Sequence, residues 1–172
     1  IMEMIETLPA SHAMRLLTVE MRDPTGYGRV VKKGKSAQVH RIVEERDASD
    51  RERALREVAT SIYYFDSLFL RAGLRRINNK NAQNEYYLTD LVSIASGSKK
   101  KIVVLPWYNE DDVRGVNNPW DLALAGKILN TRCLKHWALQ GVQFIDPDST
   151  WVDSSVKLAR EVVIQPGALI QG

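Results

Sequence analysis

The stretch NPWDLALAGKILNTRCLKHWALQG, residues 118–141, divides the chain into two parts of different character. Asn118 has the side chain of a helix N-cap, Pro119 suits the first helical position, and Gly141 suits the C-terminal cap. We predict an uninterrupted helix between these residues, about 33 Å long at the usual rise per residue. A helix of that length would act as an arm between two units of the protein.

Beyond this arm helix, aliphatic residues recur every six positions in two interleaved series. The series are Val152, Leu158, Ile164 and Ile170, and Val156, Val162 and Ala168. An interval of six is typical of a left-handed parallel β-helix, in which each short strand points one aliphatic side chain inward. We therefore predict the start of such a β-helix at residues 142–172, with chance spacing in two ordinary strands as the alternative. Because roughly three coils are needed for a continuous core, we expect either further residues beyond Gly172 or packing on another subunit.

Before the arm helix, predicted strands alternate with predicted helices. The strands are predicted at 14–21, in a hairpin at 29–33 and 37–44, at 58–65 and at 102–105. The helices are predicted at 49–57 with a Ser49–Glu52 capping box, at 67–77 after an Asp66 cap, and at 86–96. This order favours an α/β or α+β layer structure over an all-β or all-helical fold.

Residues 78–90, NNKNAQNEYYLTD, have an unusual composition for a loop. Five amide side chains within seven residues can donate and accept hydrogen bonds toward a polar ligand. Tyr86 and Tyr87 add rigid surface with a polar tip. On spacing alone, an amide-rich turn that caps a helix is the simpler interpretation.

Composition indicates a globular protein that works in the cytoplasm. The 172 residues are 44% hydrophobic and 26% charged, with a net charge of +3. No apolar run approaches the ~18 residues of a membrane span, and the acidic start is unlike a signal peptide. The Lys99–Lys101 triplet is interpreted as a solvated strand entry, because nucleic-acid binding needs several cations on one face. We predict no membrane or nucleic-acid partner, and the first residue, Ile1, indicates that the natural start lies upstream.

Five features occur in a fixed order from about residue 13 to the end of the chain. They are DPTGYGR (23–29), IVEERDA (42–48), NAQNEYYLTD (81–90), GVNN (115–118) and the long helix leading into hexapeptide coils. In this order and spacing the chain resembles the bacterial bifunctional N-acetylglucosamine-1-phosphate uridylyltransferase and glucosamine-1-phosphate acetyltransferase. The resemblance implies a Rossmann-like domain that makes UDP-N-acetylglucosamine and pyrophosphate from UTP and the sugar phosphate with Mg²⁺. It also implies a β-helix that trimerises and carries acetyl-CoA-dependent acetylation.

The resemblance further implies roles for individual residues. Gly28 would offer its backbone to the sugar, and Glu44 would accept hydrogen bonds from sugar hydroxyls. Tyr87 and Thr89 would line the sugar and phosphate pocket, while Asn117 would give its carbonyl oxygen to Mg²⁺. An ionised carboxylate suits hydroxyl donors, glycine permits close approach, and Mg²⁺ prefers oxygen ligands with few protein groups. Without the resemblance, the alternative interpretations are a surface carboxylate for Glu44 and a turn residue for Asn117.

Three departures from the family pattern shape the hypothesis. The sequence contains no glycine-rich loop of the Gly-x-Gly-Thr-Arg type and no later Gly-Asp pair for the metal, so its catalytic residues are unknown. Ala59 stands where the family has an asparagine and cannot make that amide contact to the sugar. Asn84 replaces a glycine, although asparagine tolerates left-handed backbone. The acetyltransferase residues would lie in later coils, so acetyl-CoA is expected only where those coils are present.

We therefore predict a sugar-binding half of a nucleotidyltransferase domain at 1–117, a linker arm helix at 118–141 and the start of a β-helix at 142–172. The intact protein is predicted to be a sugar-1-phosphate uridylyltransferase, with this chain inactive by itself. One alternative is a non-catalytic assembly module whose sugar pocket has decayed. Another is a nucleotidyltransferase for a different sugar phosphate.

Overall fold

The computed structural model describes residues 4–5, 7–34, 36, 38–98 and 100–172. The chain forms two compact units, Ile1–Val113 and Arg114–Gly172. The strands of the first unit are β1 His12–Glu20, β2 Arg29–Lys32, β3 Val39–Val43, β4 Glu57–Phe65 and β5 Lys101–Trp107. Its helices are α1 Asp50–Arg53, α2 Ser67–Leu74 and α3 Asp90–Gly97, followed by a 3-10 turn at Glu110–Asp112. The mixed α/β class predicted from the sequence is therefore confirmed.

The five strands of the first unit form one sheet in the order β3-β2-β4-β1-β5. β1 pairs antiparallel with β4 and parallel with β5, so that Leu16 lies between Tyr63 and Val104. β1 is buried along almost its whole length, as expected of an inner strand with apolar residues on both faces. Between Leu16 and Thr18 the register with β4 shifts, where Ser61 adopts a φ of 61°.

The main core lies where α2 and α3 cover the sheet. α3 packs against β3, β5 and α2, and the core is built from aliphatic and aromatic side chains of the sheet and these two helices. Its members include Met14, Leu16, Val30, Val39, Ile42, Phe69, Leu91, Val92 and Ala95. The two helices meet closely at Gly73, where an added Cβ would lie 2.5 Å from Leu91 Cδ2. Burial of these apolar surfaces supplies the main stabilisation of the unit.

Local capping signals were predicted correctly, but several element ends were not. The Ser49–Glu52 capping box and the Asp66 cap are both present. α1 ends at Arg53 rather than at Glu57, because Glu57 already pairs with Glu20 in the sheet. α2 ends at Leu74 instead of residue 77.

Two further boundaries were also wrong. α3 begins at Asp90 rather than at Tyr86, because the Asn81 side chain holds Glu85 in the preceding loop through its carbonyl and N–H groups. β5 continues through Pro106 to Trp107. Within the described residues it is an edge strand next to β1, and a proline is tolerated there because the missing N–H faces away from the ladder.

The predicted hairpin is present as β2 and β3. Arg29 pairs with Val43 and Lys32 with Val39, and Gly34 in the connection has a φ of 58°. β3 begins at Val39, while the predicted start, Ala37, lies outside the described residues. Of the lysine triplet, Lys99 also lies outside them, whereas Lys101 begins β5 as expected of a strand entry.

The long helix of the second unit is α4, at Pro119–Leu139. Its N-cap is Asn118, whose side chain accepts a hydrogen bond from the Asp121 N–H, and Pro119 occupies the first turn. Gly141 follows the helix with a φ of 97°, a conformation in which glycine is favoured. The caps predicted at both ends are thus confirmed. None of the helices in the described ranges combines the length and the apolar character needed to cross a membrane.

Four short strands follow α4 and pair in parallel. β6 Gln143–Phe144 pairs with β8 Val163–Ile164, and β7 Trp151–Val152 pairs with β9 Leu169–Ile170. Val152 and Ile164 of the predicted six-residue series are buried. Parallel pairing of strands from successive chain passages is what a β-helix requires, and the β-helix itself stays a prediction.

Candidate functional site

The candidate site of the first unit centres on the Glu44 carboxylate, at the end of β3. Its Oε1 accepts a hydrogen bond of 2.7 Å from Thr89 Oγ1. Gly28 lies against the other side, since an added Cβ there would be 3.3 Å from both carboxylate oxygens and 2.7 Å from Ile42 Cγ2. Three of the residues predicted from the sequence therefore meet, and only glycine fits at position 28 without displacing its neighbours.

Two buried phenol hydroxyls lie near this carboxylate. Neither the Tyr63 nor the Tyr87 hydroxyl has a hydrogen-bond partner among the described residues. Burial, and then the charge of Glu44, raises the pKa of Tyr63. Burial, and then the carboxylate of Asp47, raises the pKa of Tyr87, although its hydroxyl makes no hydrogen bond of normal geometry to Asp47. Since buried polar groups are usually paired, two buried hydroxyls without partners among the described residues are a distinctive feature.

Two of the five amide side chains in the stretch before α3, Asn78 and Asn81, bind the backbone of the stretch itself. Asn81 Oδ1 accepts from the N–H groups of Gln83 and Glu85, each at 3.2 Å, and Asn78 Oδ1 accepts from the Lys80 N–H at 2.9 Å. Both patterns are Asx turns. The simpler interpretation, an amide-rich turn, is correct for these residues. The capping part of that interpretation is wrong, because the N-cap residue of α3, Thr89, makes no capping bond and instead donates to Glu44.

This loop is fastened to the turn that follows Glu44. Asp47 Oδ1 accepts a hydrogen bond of 2.9 Å from the Ala82 N–H, and Asp47 N–H donates to the Glu44 carbonyl at 3.0 Å. Asn84 takes a left-handed φ of 56°, which asparagine tolerates. Asn84 stands where the family has a glycine, and it still adopts the left-handed backbone of this loop.

A cavity of about 390 Å³ opens beside Glu44. Its charged lining comprises the cations Arg41, Arg76 and Lys80 and the carboxylates of Glu44, Asp47 and Asp90. Burial, and then the charge of Asp47, raises the pKa of Asp90. Cations can hold a phosphate and carboxylates can accept from hydroxyls. The lining thus has both of the polar functions that a sugar phosphate requires.

Ala59 touches the site through its backbone only. It is 5% exposed in β4 and belongs to the apolar core, while its N–H donates to the Gly28 carbonyl at 2.9 Å. Its methyl group offers no donor or acceptor to a ligand. The place predicted for a sugar-binding amide is consequently apolar in this chain.

Asn117, the predicted magnesium ligand, belongs to the second unit and is exposed. Its backbone N–H donates to Asp121 Oδ2 at 3.0 Å, and Asn118 Nδ2 donates to the same oxygen at 2.9 Å. In the described part of the chain no group of three or more histidine, cysteine, aspartate or glutamate side chains could hold a metal ion. A single amide oxygen fits Mg²⁺ only where phosphate oxygens and waters complete the shell.

Sequence reasoning missed Tyr63 and Asp47. Tyr63 lies in a β-branched and aromatic strand and therefore resembled an ordinary core residue. Asp47 lies inside the motif IVEERDA, two positions after Glu45, so the motif itself contains the signal for this residue. Both roles depend on contacts with distant parts of the chain, as the Asp47–Ala82 hydrogen bond illustrates.

Comparison with known proteins agrees with the motifs. No protein-family model matches the chain. The chain is 42% identical over 160 residues to the bifunctional protein GlmU of Limosilactobacillus reuteri, a match that covers 93% of the chain and 35% of that protein. It is 39% identical over 173 residues to the bifunctional protein GlmU of Trichlorobacter lovleyi, covering 98% of the chain and 37% of that protein.

A third relative extends the match to almost every residue. The bifunctional protein GlmU of Streptomyces coelicolor is 38% identical over 175 residues, covering 99% of the chain and 36% of that protein. The chain spans about a third of the length of the curated relatives it matches. Because this similarity runs through nearly the whole chain, the chain belongs to the family of bifunctional GlmU proteins.

Proposed function

We propose that the first unit binds the sugar phosphate in a sugar-1-phosphate uridylyltransferase, which makes UDP-N-acetylglucosamine and pyrophosphate from UTP and N-acetylglucosamine-1-phosphate. The observation that carries this proposal is the Glu44 carboxylate, which accepts from Thr89, lies against Gly28 and lines the same cavity as Tyr87. The proposal concerns the whole protein. The chain alone is expected to bind ligand without turnover, because its sequence contains no glycine-rich loop for the nucleotide.

The proposed binding mode follows from the donors and acceptors available. Thr89 donates to Oε1 of Glu44, which leaves Oε2 to accept from a sugar hydroxyl. The cavity cations Arg41, Arg76 and Lys80 offer charge to the sugar phosphate. Displacement at phosphorus depends on positioning and charge neutralisation, and these residues would supply the positioning of the sugar half.

Mg²⁺ is the proposed metal, with the Asn117 side-chain oxygen as one of its ligands. When bound, Mg²⁺ would supply positive charge to the phosphates, and Asn117 would be one of the groups that hold it. Asn117 is neutral and exposed, so it adds an oxygen without adding a competing charge. The remaining ligands would be phosphates and waters.

The division into three parts is also proposed. Residues 1–117 would form the sugar-binding half of the nucleotidyltransferase domain, residues 118–141 the linker arm and residues 142–172 the first coil of a left-handed β-helix. A complete β-helix would trimerise and carry the acetyl-CoA-dependent reaction. The substrates are water-soluble phosphates, so we propose a cytoplasmic protein with neither membrane nor nucleic-acid partners.

Calorimetric titration with N-acetylglucosamine-1-phosphate tests the sugar site. We expect measurable binding to the unchanged chain and tighter binding to Ala59→Asn, because the added amide restores a hydrogen-bonding group at the site. Ala72→Asn is the matched control, since Ala72 is exposed on α2, and it should bind like the unchanged chain. Absence of binding in all three proteins would contradict the proposed sugar site.

A non-catalytic assembly module is the second candidate. The buried methyl of Ala59 favours it, because an apolar side chain replaces the expected amide. In that case neither the unchanged chain nor Ala59→Asn binds the sugar phosphate. A nucleotidyltransferase for another sugar phosphate is the third, and a sugar-1-phosphate lacking the acetamido group would then bind more tightly than N-acetylglucosamine-1-phosphate.

A further inference from the structure

Arg29 is a charged residue buried next to the candidate site. Its side chain is 2% exposed at the start of β2, directly after Gly28. The guanidinium pairs with Glu45 Oε2 at 2.7 Å and donates to the backbone carbonyls of Tyr27 and Arg53. A buried arginine of this kind is held by its fork of donors, which binds several acceptors in fixed directions.

Glu45 extends the same set of contacts to the loop before Gly28. Its Oε2 also accepts from the Gly26 N–H at 3.3 Å, and its carbonyl accepts from Arg53 Nε at 3.4 Å. The Arg29–Glu45 pair thus joins the loop at residues 26–28 to the turn at residues 44–47. Glu44, the centre of the candidate site, is the neighbour of Glu45 in that turn.

The close approach at Gly28 makes the position of this loop critical. An added Cβ at Gly28 would lie 3.3 Å from the Glu44 oxygens, so the two segments are in contact without a side chain between them. The Gly28 carbonyl is also bound by the Ala59 N–H. A small shift of the loop would therefore change the distance between Gly28 and Glu44, the two residues proposed to hold the sugar.

We propose that Arg29 and Glu45 are positioning residues for the sugar-phosphate site. They hold the loop at residues 26–28 against the turn that carries Glu44 and thereby set the affinity for the sugar phosphate. This inference rests on the proposed function. Neither residue touches the ligand, and both act through Gly28 and Glu44.

The test uses Arg29→Lys, Glu45→Gln and Glu45→Ala in the full chain, titrated with N-acetylglucosamine-1-phosphate at a temperature where circular dichroism shows every variant folded. Lys100→Met is the matched control, because it breaks the Lys100–Asp66 pair elsewhere in the same unit. We expect Arg29→Lys and Glu45→Ala to raise Kd roughly tenfold, since small misplacements of positioning groups are costly. Glu45→Gln should be milder because its amide oxygen still accepts from Gly26, and Lys100→Met should leave Kd unchanged. If Arg29→Lys binds like the unchanged chain, the pair serves stability alone and the inference is wrong.

A ligand-free measurement separates this inference from the proposed function. Amide hydrogen exchange at Ala59 reports whether the Gly28 carbonyl keeps its place. Faster exchange at Ala59 in Arg29→Lys than in Lys100→Met supports the positioning role, and equal exchange overturns it. If the unchanged chain fails to bind the sugar phosphate, the proposed function falls, and the exchange result alone decides the positioning role.

Discussion

Glu44 is held by a hydroxyl on one side and by a glycine on the other. The Thr89 hydroxyl comes from a residue 45 positions away, and Gly28 comes from the loop before β2. The family motifs pointed to all three residues, whereas their contacts appear only in the folded chain. Tyr63 joins them through burial and proximity to the Glu44 charge, although its strand resembles any other aromatic strand in the sequence.

Replacement of Gly28 by alanine tests the close approach at the site. A Cβ at this position meets Ile42 Cγ2 at 2.7 Å and the Glu44 oxygens at 3.3 Å. We expect a loss of about 1–3 kcal/mol in the free energy of unfolding, the usual cost of overpacking, measured by urea denaturation. Gly97→Ala is the control, since nothing lies within 4 Å of its Cβ position. Equal stability of Gly28→Ala and the unchanged chain would show that the site is looser than the structure indicates.

The raised pKa of Tyr63 predicts how the free energy of unfolding changes with pH. The Tyr63 hydroxyl loses its proton at a higher pH in the folded chain than in the unfolded chain, where the pKa of a tyrosine is near 10. The contribution of Tyr63 to stability is therefore complete below about pH 10 and is lost as the pH rises toward the folded pKa. We expect the free energy of unfolding to decline above about pH 10, and Tyr63→Phe to lessen that decline. Tyr64→Phe is the neighbouring control, and an identical decline in the Tyr63 variant would contradict the prediction.

At the scale of elements, the ends of α4 were predicted from the sequence, whereas the start of α3 and the end of β5 were not. Asn118, Pro119 and Gly141 were identified as the ends of α4 because capping depends on residues within one turn. The start of α3 was placed too early, since the apolar pattern continues through a loop held by Asn81. The extent of β5 was underestimated because the tolerance of Pro106 depends on its strand lying at the sheet edge. The position of β5 at the sheet edge is set by its pairing with the distant strand β1, so the sequence around Pro106 gives no local signal of it.

Asn130 connects α4 to the strands of the second unit. Its Nδ2 donates to the Thr150 carbonyl at 2.7 Å, and its Oδ1 accepts from the Val152 N–H at 3.1 Å. Asn130 is 8% exposed, so Asn130→Ala leaves two backbone groups without partners. We expect a loss of roughly 2–4 kcal/mol in the free energy of unfolding, measured by urea denaturation.

The matched control for Asn130 is Gln140→Ala. Gln140 is an exposed amide at the end of the same helix, and its replacement should change the free energy of unfolding by less than about 0.5 kcal/mol. Comparable losses in the two variants would mean that the Asn130 hydrogen bonds contribute little. A large loss confined to Asn130→Ala would confirm that the Asn130 hydrogen bonds fasten α4 to the segment at Thr150 and Val152.

On the scale of the whole molecule, the sheet order β3-β2-β4-β1-β5 was not predictable from the sequence. The strands and most helices were found from local patterns, but pairing between strands joins residues far apart. β1 pairs with both β4 and β5, although both strands come much later in the sequence. Their order is selected by the burial of the apolar faces under α2 and α3, a property of the assembled layers.

Leu91 tests where the main core lies. It is fully buried between α3 and the sheet and contacts the Gly73 position of α2. We expect Leu91→Ala to lower the free energy of unfolding by about 2–5 kcal/mol, the range for leucine truncation in a packed core. Leu68→Ala is the matched control, because Leu68 is 76% exposed, and it should have almost no effect. Similar effects of the two substitutions in urea denaturation would contradict the assigned core.

The sequence by itself determined the features that depend on neighbouring residues. These are the α/β class, the caps of α1, α2 and α4, the hairpin, the six-residue spacing after α4 and the motifs of the GlmU family. Tertiary structure alone decided that Thr89 binds Glu44 rather than capping α3, that Asp47 fastens the amide-rich loop, and that Tyr63 lies beside the site. The physical reason is that capping and periodicity act within a few residues, whereas a hydrogen bond across 45 positions forms only after the sheet and its helices have packed.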